Sequence, residues 1–335
     1  MKMIIQKNNL SLENSSKQEI LDAISAVIKE SNTFFIAGHT QPDGDALGSG
    51  LALASLLRRL GKQVTHCSVD AIPKDMMFIQ GAETIIHTNK ISENFDCAII
   101  LECIDFKRMG DIILPAQAKK IINIDHHLAH TNFGDINYIV PSSSSVSELV
   151  YDIFVNLKIA PNIEEAESLY VGLVTDTGRF QQLNTNSNSH LVAAGLLRCE
   201  ANSSKLCKKL FSTMEISKIR LYGLALSNIE TAYDEKFVYI KLTKDMFNKS
   251  KASDTDTAGI INYCISVPKA VVGCLLKEVD KNTTKLSFRS IEQFSLLDTV
   301  KLFSGGGHKN AAGCTINADI DTATEKIIQA FKGKL

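Results

Sequence analysis

Gly38 to Gly50 reads GHTQPDGDALGSG, placing His39, Asp43 and Asp45 within seven residues, directly after the apolar run Thr33-Phe34-Phe35-Ile36-Ala37. That run has the length and composition of a short buried strand. Ala46 to Leu60 reads as the helix that follows, ended by Gly61 with Arg58 and Arg59 in its last turn. The three polar residues therefore stand in the turn of a βα unit. Pro-Asp-Gly is ordinary turn chemistry, and Asp45 has the residue type of a helix cap, so a solvated turn accounts for the stretch taken alone. The rest of the chain decides between a turn and a site.

Working outward, Ser15 to Glu30 carries apolar residues at Ile20, Ile24, Val27 and Ile28, a helical period. Strand-like runs follow at Val64 to Val69, Ala98 to Leu101 and Lys120 to Ile124, interleaved with helical or loop segments such as Pro115 to Lys119. This alternation predicts an α/β fold, a doubly wound and mostly parallel sheet with helices on both faces. Helices are expected over Ser145 to Leu157 and Glu164 to Val174, after which DTGRFQQLNTNSNSH turns polar and marks a boundary near Thr185 to Asn188. The expected organisation is a first domain over 1–187, a helical connector over 188–232, and a smaller mixed α/β domain over 233–335. In that last part, Phe237 to Leu242, Ala270 to Val279 and Lys285 to Arg289 read as strands, and Thr257 to Ile265, Leu296 to Phe303 and Thr322 to Phe331 as helices.

With 335 residues, 44% of them hydrophobic and 22% charged, the chain is long enough for two domains with a core each and too apolar for a disordered one. A formal net charge of -1 provides no global field for long duplex nucleic acid, although a local basic patch still suits a small anionic ligand. The eight cysteines form no C-x-x-C pair, and several lie inside apolar runs, which suits buried free thiols in a reducing cytoplasm. The start, MKMIIQKNNL, is too short in its apolar part for a signal peptide, and no run approaches the roughly 18 apolar residues of a membrane span. A cytoplasmic location without membrane contact is expected; a homodimer stays open.

In doubly wound sheets, ligands bind at the carboxyl ends of the strands, so the polar residues just past each apolar run merit a tally. TFFIA precedes His39, Asp43 and Asp45; AIIL precedes Glu102 and Asp105; KIINI precedes Asp125, His126 and His127; and the apolar LYVGLV precedes Asp176. Each has an ordinary structural role open to it, Asp105 and Asp176 as caps and one histidine as a satisfied donor. Together, carboxylates converging on one rim repel one another and shift their pKa values unless cations hold them. Carboxylates with a minority of imidazoles and no thiolate favour Mn²⁺ or Mg²⁺, the histidines tilting the choice to Mn²⁺. Two such ions about 3.5 to 4 Å apart activate a water and clamp the oxygens of an in-line displacement at phosphorus. The chemistry implied is phosphoester hydrolysis.

At these residues the chain resembles the DHH phosphoesterase superfamily. The first motif appears as HTQPDGDALGS, the name-giving triplet as Asp125-His126-His127, and D-T-G-x-F as Asp176-Thr177-Gly178-Arg179-Phe180. SFRS at Ser287 to Ser290 and GGGHKNAAG at Gly305 to Gly313 resemble the DHH-associated C-terminal domain. The resemblance implies that His39 and Asp43 bind one metal, that Asp45, His126 and Asp176 bind the other, and that Glu102 bridges them. The family's commonest pattern has aspartate at that bridging place; glutamate keeps the charge on a side chain one methylene longer, with Asp105 as the neighbouring candidate. His127 and Asp125 are implied in catalysis, through substrate contact and orientation.

GGGHKNAAG is not a P-loop, since no G-K-[ST] follows, and a glycine-rich turn before a strand has purely backbone uses. As a substrate clamp it would offer N–H groups from Gly305, Gly306 and Gly307, joined by His308, Arg289 and Ser290. Within the superfamily, the two-lobe length resembles the group of small oligoribonucleases and 3′-phosphoadenosine 5′-phosphate (pAp) phosphatases. The substrates implied are short RNA, linear dinucleotides and pAp. A catalytically weak nucleotide sensor and a pyrophosphate or polyphosphate hydrolase are the alternatives.

Overall fold

The computed structural model describes residues 10–335; the reading of the first nine residues as too short a leader lies outside them. The chain divides into two compact units, one ending at Thr213 and the other running from Met214 to Leu335.

The first unit is built on a seven-stranded sheet: β1 (Leu10–Ser11), β2 (Thr33–Ala37), β3 (Gln63–Ser68), β4 (Ile86–His87), β5 (Phe95–Leu101), β6 (Ala118–Asp125) and β7 (Ile136–Ile139). Their order is β1-β7-β6-β5-β2-β3-β4, and every pairing is parallel. From β2 the chain winds outward to β3 and β4, then returns to the other side of β2 for β5, β6 and β7. The order thus reverses between β2 and β5, the place where open α/β sheets form their ligand crevice.

Its helices are α1 (Lys17–Glu30), α2 (Gly44–Arg59), α3 (Val146–Leu157), α4 (Ile163–Asp176), α5 (Ser187–Arg198) and α6 (Ser203–Phe211). α1 begins in a capping box, Ser16 with Glu19, and buries Ile20, Leu21, Ile24 and Ile28, the apolar stripe of its sequence. The main core joins α1 to α4 to one sheet face, while Phe35, Ala98, Ile100, Cys103, Met109 and Ile112 form a second core on the other. α2 and α4 cross closely: a Cβ on Gly172 would sit 2.0 Å from Ser147 Oγ and 2.6 Å from Asp45 Oδ1, so only glycine fits between them.

The second unit comprises α7 (Ile216–Leu226), β8 (Ile229–Ala232), β9 (Phe237–Leu242), α8 (Lys244–Ser250), α9 (Ile260–Ile265), β10 (Val272–Asp280), β11 (Thr283–Ser290), α10 (Leu297–Lys301), β12 (Gly306–His308), β13 (Ala311–Ile316) and α11 (Ile320–Phe331). Its mixed sheet has the order β12-β13-β11-β10-β9-β8, with β9 and β10 parallel and the other pairs antiparallel. One core packs beneath α11 around Phe288 and Phe331, and another beneath α7 and α9 around Val238, Ile240 and Cys264.

The segment expected as a helical connector over 188–232 holds three helices, α5, α6 and α7, and ends in the strand β8. Val192, Leu196 and Leu206 of α5 and α6 are buried in the core of the first unit, and Leu221 and Ala225 of α7 in that of the second. The breaks fall at Asn202, which caps α6 through Lys205 N, and at residues 212–215. The helix expected over Thr257 to Ile265 is likewise shorter, a 3-10 turn over Asp254–Thr257 followed by α9. All eight cysteines are free, six of them buried. Among the described residues no helix is long and apolar enough to cross a membrane.

Candidate metal centre

Three neighbouring strands, β2, β5 and β6, deliver their carboxyl ends to the switch point, and each hands over ligand-type residues. After β2 comes His39. Its Nδ1 lies 2.7 Å from the Thr40 carbonyl oxygen, which only accepts, so the ring proton sits there and Nε2 keeps its lone pair. That Nε2 is 3.7 Å from Asp43 Oδ2 and 3.7 Å from Glu102 Oε2. Asp43 is also the N-cap of α2, where its Oδ1 accepts from the N–H groups of Asp45 and Ala46.

Asp45, in the first turn of α2, is 1% exposed. Its carboxylate accepts from Val146 N at 2.5 Å, Ser147 N at 2.9 Å and Ser147 Oγ at 2.6 Å, so it ties α2 to the start of α3. Burial raises its pKa, opposed by the Ser147 hydrogen bond.

Glu102 follows β5 in the left-handed region, φ 56°, with its N–H donating to Ile124 O. It is 4% exposed, and its Oε2 has no hydrogen-bond partner among the described residues. One carboxylate oxygen faces His39, and the other, Oε1, lies 4.0 Å from His126 Nε2. Burial first, then the charges of Asp45, Asp43, Asp176 and Asp125, push its pKa well above the usual carboxylate range.

Asp125 ends β6 fully buried. Its Oδ1 accepts from the N–H groups of His126 and His127 and from His127 Nδ1 at 2.7 Å, which orients the His127 ring and raises its pKa. His126 Nδ1 donates to the Ser143 carbonyl at 3.2 Å, leaving Nε2 toward the cluster. That nitrogen is 3.6 Å from Asp176 Oδ2, at the end of α4. Burial and the Asp45 charge push Asp176 up to about 7.

Two groups of side chains are close enough to hold an ion each: His39, Asp43 and Glu102, and Asp45, Glu102 and His126. Glu102 is common to both. Asp176 joins through His126 rather than through the tighter group, and Asp105 instead caps the turn at 106–109 through Arg108 N. The donor set fits divalent cations on three counts: buried carboxylates without compensating cations, an unpartnered Glu102 oxygen, and two imidazoles whose tautomers expose Nε2.

Sequence reading passed over several participants. Ser143 and Ser144 sit in a serine run ahead of the expected helix and Ser147 in that helix, yet Ser143 and Ser147 hold His126 and Asp45, while Asn184 donates to Asp176 O and to Ser144 O. Arg108 reaches Thr40 Oγ1 at 3.4 Å; burial and, more weakly, its charge oppose protonation of His39, but the contacts with Asp43 and Thr40 outweigh them and raise the His39 pKa. The one visible signal of Arg108 was a cation six residues after Glu102, in the turn that Asp105 caps.

The raised carboxylates predict an inverted pH response. A group whose folded pKa lies above its unfolded one stabilises the fold at low pH and loses that contribution as pH rises through the folded value. With Asp176 moved from 3.8 to about 7, and Glu102 raised as well, the metal-free protein should lose melting temperature between about pH 5 and 7. Saturating Mn²⁺ should reverse the slope, since ligands must be deprotonated to bind. Thermal melts in chelator and in Mn²⁺ across that range test both signs.

In the second unit, Arg289 and His308 are exposed on β11 and β12. The hydroxyl of Ser290 is committed within the fold, donating to Phe294 O and accepting from Asn310 Nδ2. A Cβ on Gly305 would strike Gly313 O and Val300, and Gly307 has φ 138° with Ala311 O 2.5 Å from such an atom. Gly306 differs: a Cβ there would meet nothing within 4 Å, so packing gives no reason for glycine. It lines a hollow with Ser287, Arg289 and Gly313, where a ligand approaching the backbone would be blocked by a side chain. Gly306→Ala should keep the wild-type melting temperature yet raise KM for a phosphorylated substrate, as steady-state kinetics would read.

A profile for the DHH family, N-terminal domain, matches residues 33–173, and one for the DHHA1 domain matches residues 234–333. The chain is 29% identical over 318 residues to the bifunctional oligoribonuclease and PAP phosphatase NrnA of Thermus thermophilus, covering 95% of this chain and 93% of that one. It is 26% identical to the Bacillus subtilis protein of the same name, over 90% of this chain and 93% of the other. The crystal structure of an exopolyphosphatase-related protein from Bacteroides fragilis superposes with a TM-score of 0.83 at 28% identity, covering 95% of this chain and 98% of that one. With both matches in order along the chain and two ion-sized ligand groups sharing Glu102, the chain belongs to the DHH family, carries a DHHA1 domain, and is a metal-dependent phosphoesterase.

Proposed function

We infer that the enzyme hydrolyses short oligoribonucleotides or linear dinucleotides to 5′-mononucleotides and removes the 3′-phosphate of pAp to give AMP. The observation that carries this reading is the placement of Glu102, whose two oxygens face two histidines from different strands. The similarity to the two NrnA proteins along nearly the full chain supports the substrate class.

Bound there, two divalent ions would lower the pKa of an attacking water and neutralise charge on the phosphoryl oxygens; the imidazoles favour Mn²⁺ over Mg²⁺. His39, Asp43 and Glu102 would hold one ion, and Asp45, His126 and Glu102 the other, with Asp176 beside His126 as a further ligand. His127 is exposed, its Nδ1 proton held by Asp125, so Nε2 is free to take or give a hydrogen bond at the substrate phosphate. Arg289, His308 and the backbone at Gly306 would hold a phosphate of the substrate, and binding strength in this unit sets which substrate is cut. Release of mononucleotides into the nucleotide pool suits a cytoplasmic enzyme.

A substrate panel tests the reading. With Mn²⁺, the purified protein should release AMP from both pAp and diadenylate, with loss of both activities in chelator. Phosphate release from pyrophosphate or polyphosphate, with diadenylate left intact, would move the enzyme to the small-anion class. Tight nucleotide binding without turnover would make it a sensor.

A further inference from the structure

The second unit carries a basic trough that begins at the phosphate clamp and runs on beyond it. On β11, Lys285, Ser287 and Arg289 alternate with buried Leu286 and Phe288, so the three project from one face of the sheet. Beside them on β13 stand Thr315, Gly313 and Ala311, small residues that leave the face open. Three hollows follow one another along it, of about 480, 670 and 580 Å³. The first holds Arg289 and shares Ser287, Gly306 and Gly313 with the second; the second shares Lys285 with the third.

The third hollow is lined by Lys244, Lys277, Lys285 and Phe247, with Asp254 and Glu278 as its acids. Lys277 and Lys285 are direct partners across β10 and β11, an unfavourable placement for like charges unless something negative lies between them. Both acids are already engaged: Asp254 takes the Lys277 ammonium at 2.6 Å, and Glu278 accepts from Lys244 N. Among the described residues neither Lys285 nor Lys244 makes an ion pair, although Lys244 lies near enough to Asp280 to add to the Asn282 hydrogen bond in holding that carboxyl low. The charge left over is positive, and it lies along a strand rather than at a point.

We propose that this trough holds the sugar–phosphate backbone of a single-stranded oligoribonucleotide, with Arg289 on one phosphate and Lys285, then Lys244, on phosphates further along. Lys285 is four residues from Arg289 on an extended strand, about 13 Å, far enough to meet a phosphate beyond the one at the clamp. Phe247 offers its ring where a base would follow. The proposal rests on the functional reading above and deepens it: the trough makes the enzyme prefer oligonucleotides of several residues over pAp, which has no phosphate to reach Lys285.

Steady-state hydrolysis by the Mn²⁺-loaded enzyme tests it, with pAp, di-, tri- and tetranucleotides as substrates and NaCl as a second variable. Lys285→Ala should lower the tetranucleotide-over-pAp preference in kcat/KM by about tenfold, the value of one charged contact. It should also flatten the salt dependence of the tetranucleotide by about 0.7 in log–log slope, with Lys285→Arg restoring both. A preference that stays at the wild-type value, or a loss equal for pAp and tetranucleotide, overturns the trough while leaving the phosphoesterase reading intact. Wild-type enzyme that cleaves none of the RNA substrates overturns the functional reading itself, and the trough with it.

Discussion

Exchanging Glu102 for glutamine is expected to abolish hydrolysis, by a factor of about 10³ or more, while raising the melting temperature of the metal-free protein. The two effects have one cause. Glu102 is buried, one of its oxygens has no partner, and four other carboxylates act on it, so its charge is tolerated only when cations are present. Glutamine keeps nearly the same shape and removes that charge, which relieves the empty site and cripples the occupied one. Turnover, Mn²⁺ titration and melts in chelator would read activity, metal affinity and stability separately. Near-normal turnover, or a lower melting temperature in chelator, would remove Glu102 from the role of shared ligand.

The second large effect separates two residues that the sequence treats alike. Asp45→Ala and His126→Ala should both cost activity by orders of magnitude, but only Asp45→Ala should also unsettle the fold. The Asp45 carboxylate accepts three hydrogen bonds from Val146 and Ser147, and its removal strands buried donors at the start of α3, at about 1–3 kcal/mol for each unsatisfied group. His126 is half-buried, its one side-chain hydrogen bond is to a loop carbonyl, and the bond its backbone N–H donates to Asp125 survives in alanine. A melting temperature several degrees lower for Asp45→Ala, with His126→Ala near the wild type, is the expected pattern. Equal stability of the two would mean that the α2–α3 tie carries little of the fold.

The parts of this arrangement legible in the sequence were those with strong local contrast. TFFIA, AIIL and KIINI stand out as strands because they are apolar throughout and end abruptly in ligand-type residues, and the parallel sheet follows from their alternation with helices. β1, β4 and β7 escaped notice because two to four residues of strand have no readable period, and their pairing is decided by neighbours far away in sequence. Ser143, in the serine run before α3, and Ser147, in α3 itself, escaped for a different reason. Ser143 contributes to the site through its main-chain carbonyl and Ser147 through a hydroxyl bond across helices, neither of which depends on a residue type that advertises chemistry. In GGGHKNAAG the three glycines look equivalent, and only packing separates Gly306 from the two that the backbone requires.

The acceptors that fix His39 and His126 belong to the peptide chain, at positions 40 and 143, rather than to side chains. Residues at those two positions can therefore drift through evolution without altering which ring nitrogen faces the ions, provided the loops keep their course. Lineages of this enzyme should vary in chemical identity beside their histidines while conserving the local path of the backbone, and insertions there should be far more damaging than substitutions.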